Sequence, residues 1–357
     1  MSTVDIPEKQ GAGGSPAAGE APSFRAPGVE TEPAPGGLLP GILRFFVVPL
    51  LLVGASVAVF AGLGAIVGQA PPTAGDLVLG ISAGGKNSRW QAAQELSNLV
   101  YRKEVDLGKD ERLVRALVDA FQKARAEGDD PRVIQLLATL LGRSPAPLTG
   151  PALLQGLDDG NPDVRIYVAA ALAEQGQEAA LPSLRARTED LDAGVRTMAV
   201  YAVAVVADRA GAVAAACSGD ALVKALQDSS MDVRWNAALG LARLGRAEGA
   251  DLVWDLLHRD FVRANLQRGD GAGAAGLLGQ QGSDPSTPDQ VEERVVLNAL
   301  SAAWRLKDRS MIEGARALAA GDPSAPVRDW AMRLQALLEE EARAKAPVAA
   351  RAWTKAR

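Results

Sequence analysis

The chain has 357 residues, 48% of them apolar and 23% charged, and its formal net charge of −5 is too small at this length to draw it to nucleic acid. Cys217 and His258 are the only cysteine and histidine, which excludes an internal disulfide and every metal site built from paired Cys and His, from four Cys or from three His, and leaves any nucleophilic triad or dyad a single imidazole. With six Trp, three Tyr and six Phe, the interior has to be built from Ala, Leu and Val, which suits close-packed helices and argues against an all-β fold.

Residues 1–40 are Gly, Pro, Ala, Ser and Glu with few large apolar groups to offset the entropy of ordering, so a disordered tail is expected. No charge falls between Arg44 and Asp76. Within that stretch Phe45–Val67, at about 1.5 Å per residue, is long enough to cross a hydrocarbon layer of about 30 Å. A single transmembrane helix over 42–68 is expected, with the lipid bilayer meeting residues 45–67. A cleavable signal peptide has an apolar core of about 7–15 residues behind a short basic segment, and this run is longer and comes after a Pro/Gly tail. Gly54, Ala58 and Gly62, at spacing four, form a small-residue stripe that offers a contact between membrane helices and hence a homo-oligomer.

Arg44 precedes the span and Lys86 is the first basic residue after it, so the basic-side rule places the tail inside and the remainder outside. Arg outnumbers Lys 29 to 9, the usage of a GC-rich bacterial genome. The expectation is a single-pass protein of the bacterial inner membrane with its C-terminal part in the periplasm.

After a linker over 69–86, residues 87–340 change to Leu/Ala-rich segments separated by short Asp/Gly/Pro/Asn breaks. The segment around Asp163-Val164-Arg165 returns around Val195-Arg196 and Asp232-Val233-Arg234, with fainter forms at Arg89, Arg132, Arg294 and Arg328. These arginines are 31 to 43 residues apart, except for 60 between Arg234 and Arg294, where a Gly-rich insertion over 269–290 intervenes. About seven helical hairpins are expected. Gly271, Gly273 and Gly276 match GxGxxG but come after no strand, so no dinucleotide site or other cofactor is expected. A basic tail over 341–357 closes the chain.

The clearest copy explains why hairpins would stack. At 100° per residue from Val233, Ala237, Gly240, Leu241 and Leu244 share one face, whereas Trp235, Leu239 and Ala242 gather opposite. A helix apolar on two faces needs two neighbours, its hairpin mate and the next repeat. The fold expected is all-α: an α-solenoid of about seven hairpins behind one transmembrane helix.

The pattern Asp163, Val164, Arg165, Ala169, Ala170, Ala171, Leu172, and again Asp232, Val233, Arg234, Ala237, Ala238, Leu239, resembles bacterial HEAT repeats, including the HEAT-like repeats of phycobilisome lyases. The resemblance implies polar ladders of Asp and Arg between repeats and a surface that binds proteins. Its candidate ladder or partner-contact residues are Asp163, Arg165, Asp232, Arg234, Arg196 and Arg328, with Gly194 and Pro326 standing where Asp would continue the ladder. Trp90 and Trp235 directly succeed motif arginines and either pack between repeats or anchor a partner. No catalytic or metal residue is expected, and the function expected is a membrane-anchored scaffold that binds a protein or peptide. The alternatives are a chromophore-lyase-like modification factor, implied by the resemblance, and a structural subunit of a membrane complex.

Overall fold

The computed structural model describes residues 47–67, 72–267 and 287–344, with the side chains of Val48, 60–67, Gln267 and 342–344 outside that description. The tail over 1–40, most of the Gly-rich insertion and the residues beyond 344 therefore lie outside the described residues. The chain divides after Pro71 into two units.

The first unit holds α1 (Val48–Val67), twenty residues without a charge. Its described side chains Leu50, Leu51, Leu52, Val53, Val57 and Val59 are all exposed. Gly54 and Ala58 are exposed as well, nothing approaches within 4 Å of a side chain placed at Gly54, and Gly62 falls among the undescribed side chains. Among the described residues no helix is long and apolar enough to cross a membrane, so the span expected over 42–68 is not established by the structure.

Among its described residues, every regular element of the second unit is a helix. Its hairpins are α2 (Ala74–Ala83) with α3 (Lys86–Tyr101), α4 (Glu111–Glu127) with α5 (Pro131–Gly142), and α6 (Ala146–Gly156) with α7 (Pro162–Gln175). They continue as α8 (Leu181–Arg187) with α9 (Ala193–Ala210), and α10 (Ala212–Ala225) with α11 (Met231–Arg243). In the sixth, α12 (Ala250–Leu256) is separated from its mate α14 (Pro288–Leu306) by α13 (Arg259–Gln267) and the insertion. The seventh is α15 (Ile312–Gly321) with α16 (Ala325–Ala344). The second helices of successive hairpins, α3, α5, α7, α9, α11, α14 and α16, pack side by side in chain order. Seven hairpins stack, as the spacing of the arginines anticipated.

Local chemistry sets the helix ends. Asp110, Asp130, Asn161 and Asp192 accept first-turn N–H groups at the starts of α4, α5, α7 and α9, and Pro131 and Pro162 occupy first-turn positions where no donor is lost. Gly128 and Gly176, at φ of +62° and +67°, end α4 and α7 in the left-handed conformation.

Three boundaries differ from expectation. The linker over 69–86 contains α2, started by a capping box between Thr73 and Asp76 and held by buried Leu77, Val78 and Ile81. The insertion ends before Thr287, which forms a second capping box with Gln290, so residues 287–290 begin α14. The last helix runs to Ala344 instead of stopping at 340.

The core is two clusters that meet across α11. Val233, Ala237 and Leu241 join the cluster reaching back to Leu77; Trp235, Ala238 and Ala242 join the one reaching forward to Leu338. The two apolar faces of this helix thus serve two neighbours. Glycines set the closest approaches: a side chain at Gly142 would meet the Ala171 backbone at 2.9 Å, and one at Gly240 would meet Ala204 at 2.9 Å. Stacked helices packed this closely leave no room for larger side chains there.

Candidate protein-binding face

An arginine–aspartate ladder runs through the repeats, and its rungs from Arg125, Arg165 and Arg196 use aspartates just ahead of each second helix. Asp159, Asp190, Asp228 and Asp322 each lie six residues before a motif arginine, Arg165, Arg196, Arg234 and Arg328. Each of these aspartates accepts the N–H two residues on, from Asn161, Asp192, Ser230 and Ser324, at 2.8–3.0 Å. Each arginine donates through Nη1 to the carbonyl of its own aspartate, at 2.8, 3.0, 2.5 and 2.6 Å respectively.

Longer reaches join one repeat to the next. Arg125 meets Asp159 at 2.7 Å, Arg165 meets Asp190 at 2.7 Å, and Arg196 grips both oxygens of Asp228 at 2.8 and 2.9 Å. Arg89 likewise reaches Asp129 at 2.8 Å. Burial raises the Asp190 and Asp228 carboxyls, but hydrogen bonds from Arg165 and Arg196 and from backbone N–H groups outweigh it and leave both below the ordinary 3.8. These carboxylates stay charged because their charge is met.

Asp163 and Asp232 stand in the first turns of α7 and α11, where the helix dipole favours a negative charge. Gly194 does not interrupt the ladder, since Arg196 makes the carbonyl contacts of the other copies and grips Asp228 as well; Arg328, behind Pro326, makes the carbonyl contacts alone among the described residues. The break comes at Arg234, which meets the carbonyls of Asp228 and Ser229 and the Met231 sulfur but, among the described residues, no carboxylate. Arg259, at the start of α13, resumes the ladder by gripping Asp322 at 2.5 and 2.8 Å and Glu292 at 2.9 Å.

The sixth repeat is offset by two residues from the alignment on Arg294. Val295, Ala299 and Ala303 are fully buried, as are Val233, Ala237 and Leu241, each 62 residues earlier. Val296 therefore occupies the arginine position, and Arg294 lies two residues ahead of it.

The tryptophans singled out in the sequence are packing groups. Trp235 is 1% exposed and its ring lies 6.5 Å from Phe261. Trp90 is half-buried beneath the Arg132 guanidinium of the next repeat, 5.2 Å from the ring centroid. Trp304 and Trp330, which the sequence did not single out, meet edge to face at 5.8 Å and stay partly exposed on neighbouring helices.

A cleft of about 280 Å³ opens across α9, α11 and α14. The 62-residue offset explains its lining: Asn236 and Arg243 of α11 are repeated as Asn298 and Arg305 of α14, with Tyr201 of α9 facing them. Asn236 donates to the Asp232 carbonyl at 2.9 Å, whereas the buried Nδ2 of Asn298 has no acceptor among the described residues. Arg243 and Arg305 share Asp208, at 3.6 and 3.2 Å. This cleft was missed in the sequence because the matching N-x-x-x-x-x-x-R spacing emerges only when the sixth repeat is placed two residues later.

Residues 118–204 and 150–218 match the model of the HEAT repeats family. This stretch is similar to HEAT repeats. It spans two rungs of the ladder, Arg125–Asp159 and Arg165–Asp190, ending within α10, and the hairpins on either side continue the same stacking. Among solved structures, the CpcE–CpcF complex of phycocyanin lyase from Nostoc sp. PCC7120 is 17% identical with a TM-score of 0.45, covering 76% of this chain and 96% of that one. Human deoxyhypusine hydroxylase is 19% identical with a TM-score of 0.32 over 75% of this chain and 96% of its own. A designed armadillo repeat protein is 17% identical with a TM-score of 0.31 over 73% and 98%. No curated protein sequence matches the chain.

Proposed function

We propose that the chain is a non-enzymatic scaffold, held at the bacterial inner membrane through residues 45–67, whose helix array captures another protein or peptide. The HEAT repeats support a binding role, since stacked hairpins present a continuous, preorganised surface. The observation that carries the reading is the cleft over α9, α11 and α14, where Tyr201, Asn298, Arg243 and Arg305 converge and two arginines share the one carboxylate of Asp208. Support for the anchor comes from the charge-free run between Arg44 and Asp76 and from the exposed Leu and Val side chains on α1. Anchoring confines capture to the membrane plane and raises the effective concentration of a membrane-bound partner.

Gly54, Ala58 and Gly62 would be the contact if the anchors pair, and the basic-side rule favours a periplasmic array. Extraction of membranes with alkaline carbonate tests the anchor: the full chain stays in the pellet, and a form lacking residues 1–71 is washed out. Recovery of the shortened form in the pellet refutes the proposed role of residues 45–67. Crosslinked recovery of partners from membranes, with the full chain and with α9 to α11 deleted, tests the scaffold. Identical partner sets from the two forms would refute capture by the array.

A further inference from the structure

The cleft over α9, α11 and α14 has a chemistry of its own, and its use as a subsite rests on the protein-binding role proposed for the array. Its lining includes no Asp or Glu. Arg243 and Arg305, 41% and 45% exposed, share the single carboxylate of Asp208, which leaves one positive charge in excess. Arg305 also donates to the carbonyl of Arg243 at 3.0 Å, so the two guanidinium groups are held close together. Beside them the Nδ2 of Asn298 is buried with no acceptor among the described residues, although the equivalent Asn236 spends its amide on the Asp232 carbonyl. Buried donors in folded proteins are nearly always satisfied, so an orphan on a residue that lines a cleft offers a hydrogen bond to an incoming acceptor.

The rest of the lining limits what can enter. Gly240, packed against Ala204, and Ala302 add little side-chain bulk to the lining. A volume of about 280 Å³ is at the small end of the range for ligand pockets, about 300–1,000 Å³, and suits one or two side chains better than a cofactor.

We propose that this cleft is a carboxylate-selecting subsite: an Asp or Glu side chain of an extended partner segment enters it, accepting hydrogen bonds from Asn298 and Arg305 and meeting the excess charge of the Arg243–Arg305 pair. The segment's backbone crosses α11 and α14. Charge-assisted bonds of this kind favour an acidic residue over its neutral amide and weaken as salt rises.

Selection of a random dodecapeptide library displayed on phage, against the full chain in detergent micelles, tests the subsite. The expected result is an enriched set sharing an acidic residue at a fixed position, bound about tenfold or more weakly by Asn298→Ala and by Arg305→Gln. Asn298→Ala removes no existing hydrogen bond of its Nδ2, so its thermal midpoint stays at or above that of the parent. Three results would overturn the proposal: no enriched peptide, an enriched set without acidic preference, or affinities that the two variants leave unchanged. None of these alters the partner set recovered from membranes, so loss of the subsite and loss of the scaffold role are read separately.

Discussion

Arg196 joins three segments at once: its Nε and Nη2 hold both oxygens of Asp228, 32 residues ahead, while its Nη1 closes on the carbonyls of Asp190 and Leu191. The pair is largely shielded, with the two side chains 15% and 12% exposed. One rung thus fixes both the turn before its own helix and the register of the next hairpin. Arg196→Ala strands the Asp228 carboxylate among backbone groups, and the expected loss is about 3 kcal/mol of unfolding free energy, read by urea denaturation. A loss below about 1 kcal/mol would mean that the rung is no stronger than a surface ion pair.

Carboxylates held by arginines, in the ladder and beside it, set the acid limit. Arg132 holds the Asp130 carboxyl down to about 2, and Asp190 and Asp228 also lie below 3.8. Groups lowered on folding add stability above their unfolded value, near 3.8, and that contribution disappears as the pH falls through their folded values. Thermal stability from these groups is therefore level from neutral pH to about 4 and declines from about 4 to 2. Asp228→Asn flattens part of that decline. A midpoint that changed mainly between about pH 5 and 7 would assign acid sensitivity to other groups.

Arg259 carries the ladder over the insertion and faces Asp322 and Glu292, whose side chains are 1% and 4% exposed. Removing it leaves two buried carboxylates with only Arg263 beside Glu292. Arg259→Ala is expected to cost about 3–5 kcal/mol, and Arg259→Lys to recover only part of that because an ammonium cannot make the two-pronged contact with Asp322. Equal stability of the Lys variant and the parent would show that charge alone suffices.

Trp235 distinguishes packing from recognition. It is fully enclosed between α11 and the cluster running to α16, so Trp235→Ala should cost about 3–5 kcal/mol of stability. At a temperature where the variant is folded, partner capture should match that of the parent. A loss of capture without a loss of stability would make the indole a contact.

Gly142 sets the spacing of α5 and α7, since a Cβ there would lie 2.9 Å from the Ala171 Cα and 3.0 Å from its Cβ. Gly142→Val is expected to lower stability by about 1–3 kcal/mol through overpacking while far-ultraviolet circular dichroism stays helical. A more stable variant would contradict this close approach.

What could be read from the chain by itself is what is encoded within one repeat. The helices, their caps and the number of hairpins follow from periodicity and from short-range donors such as Asp130 and Asn161. The two apolar faces of α11 are likewise visible in the spacing of Val233, Ala237 and Leu241 against Trp235 and Ala242. The constant step of six from Asp159 to Arg165, and from Asp190 to Arg196, was also present in the sequence, although the nearer Asp163 and Asp232 drew attention away from it.

Only the folded chain decides the relations that cross repeats. Which carboxylate Arg196 grips, whether Trp235 is enclosed, how Arg259 spans 63 residues to Asp322 and where the sixth helix stands in register all depend on distances between segments far apart in the chain. Local propensity is blind to those distances, because the packing of two apolar surfaces sets them after the helices exist. The cleft with Asn298 between Arg243 and Arg305 belongs to the same class: three helices contribute to it, and it exists only once they are side by side.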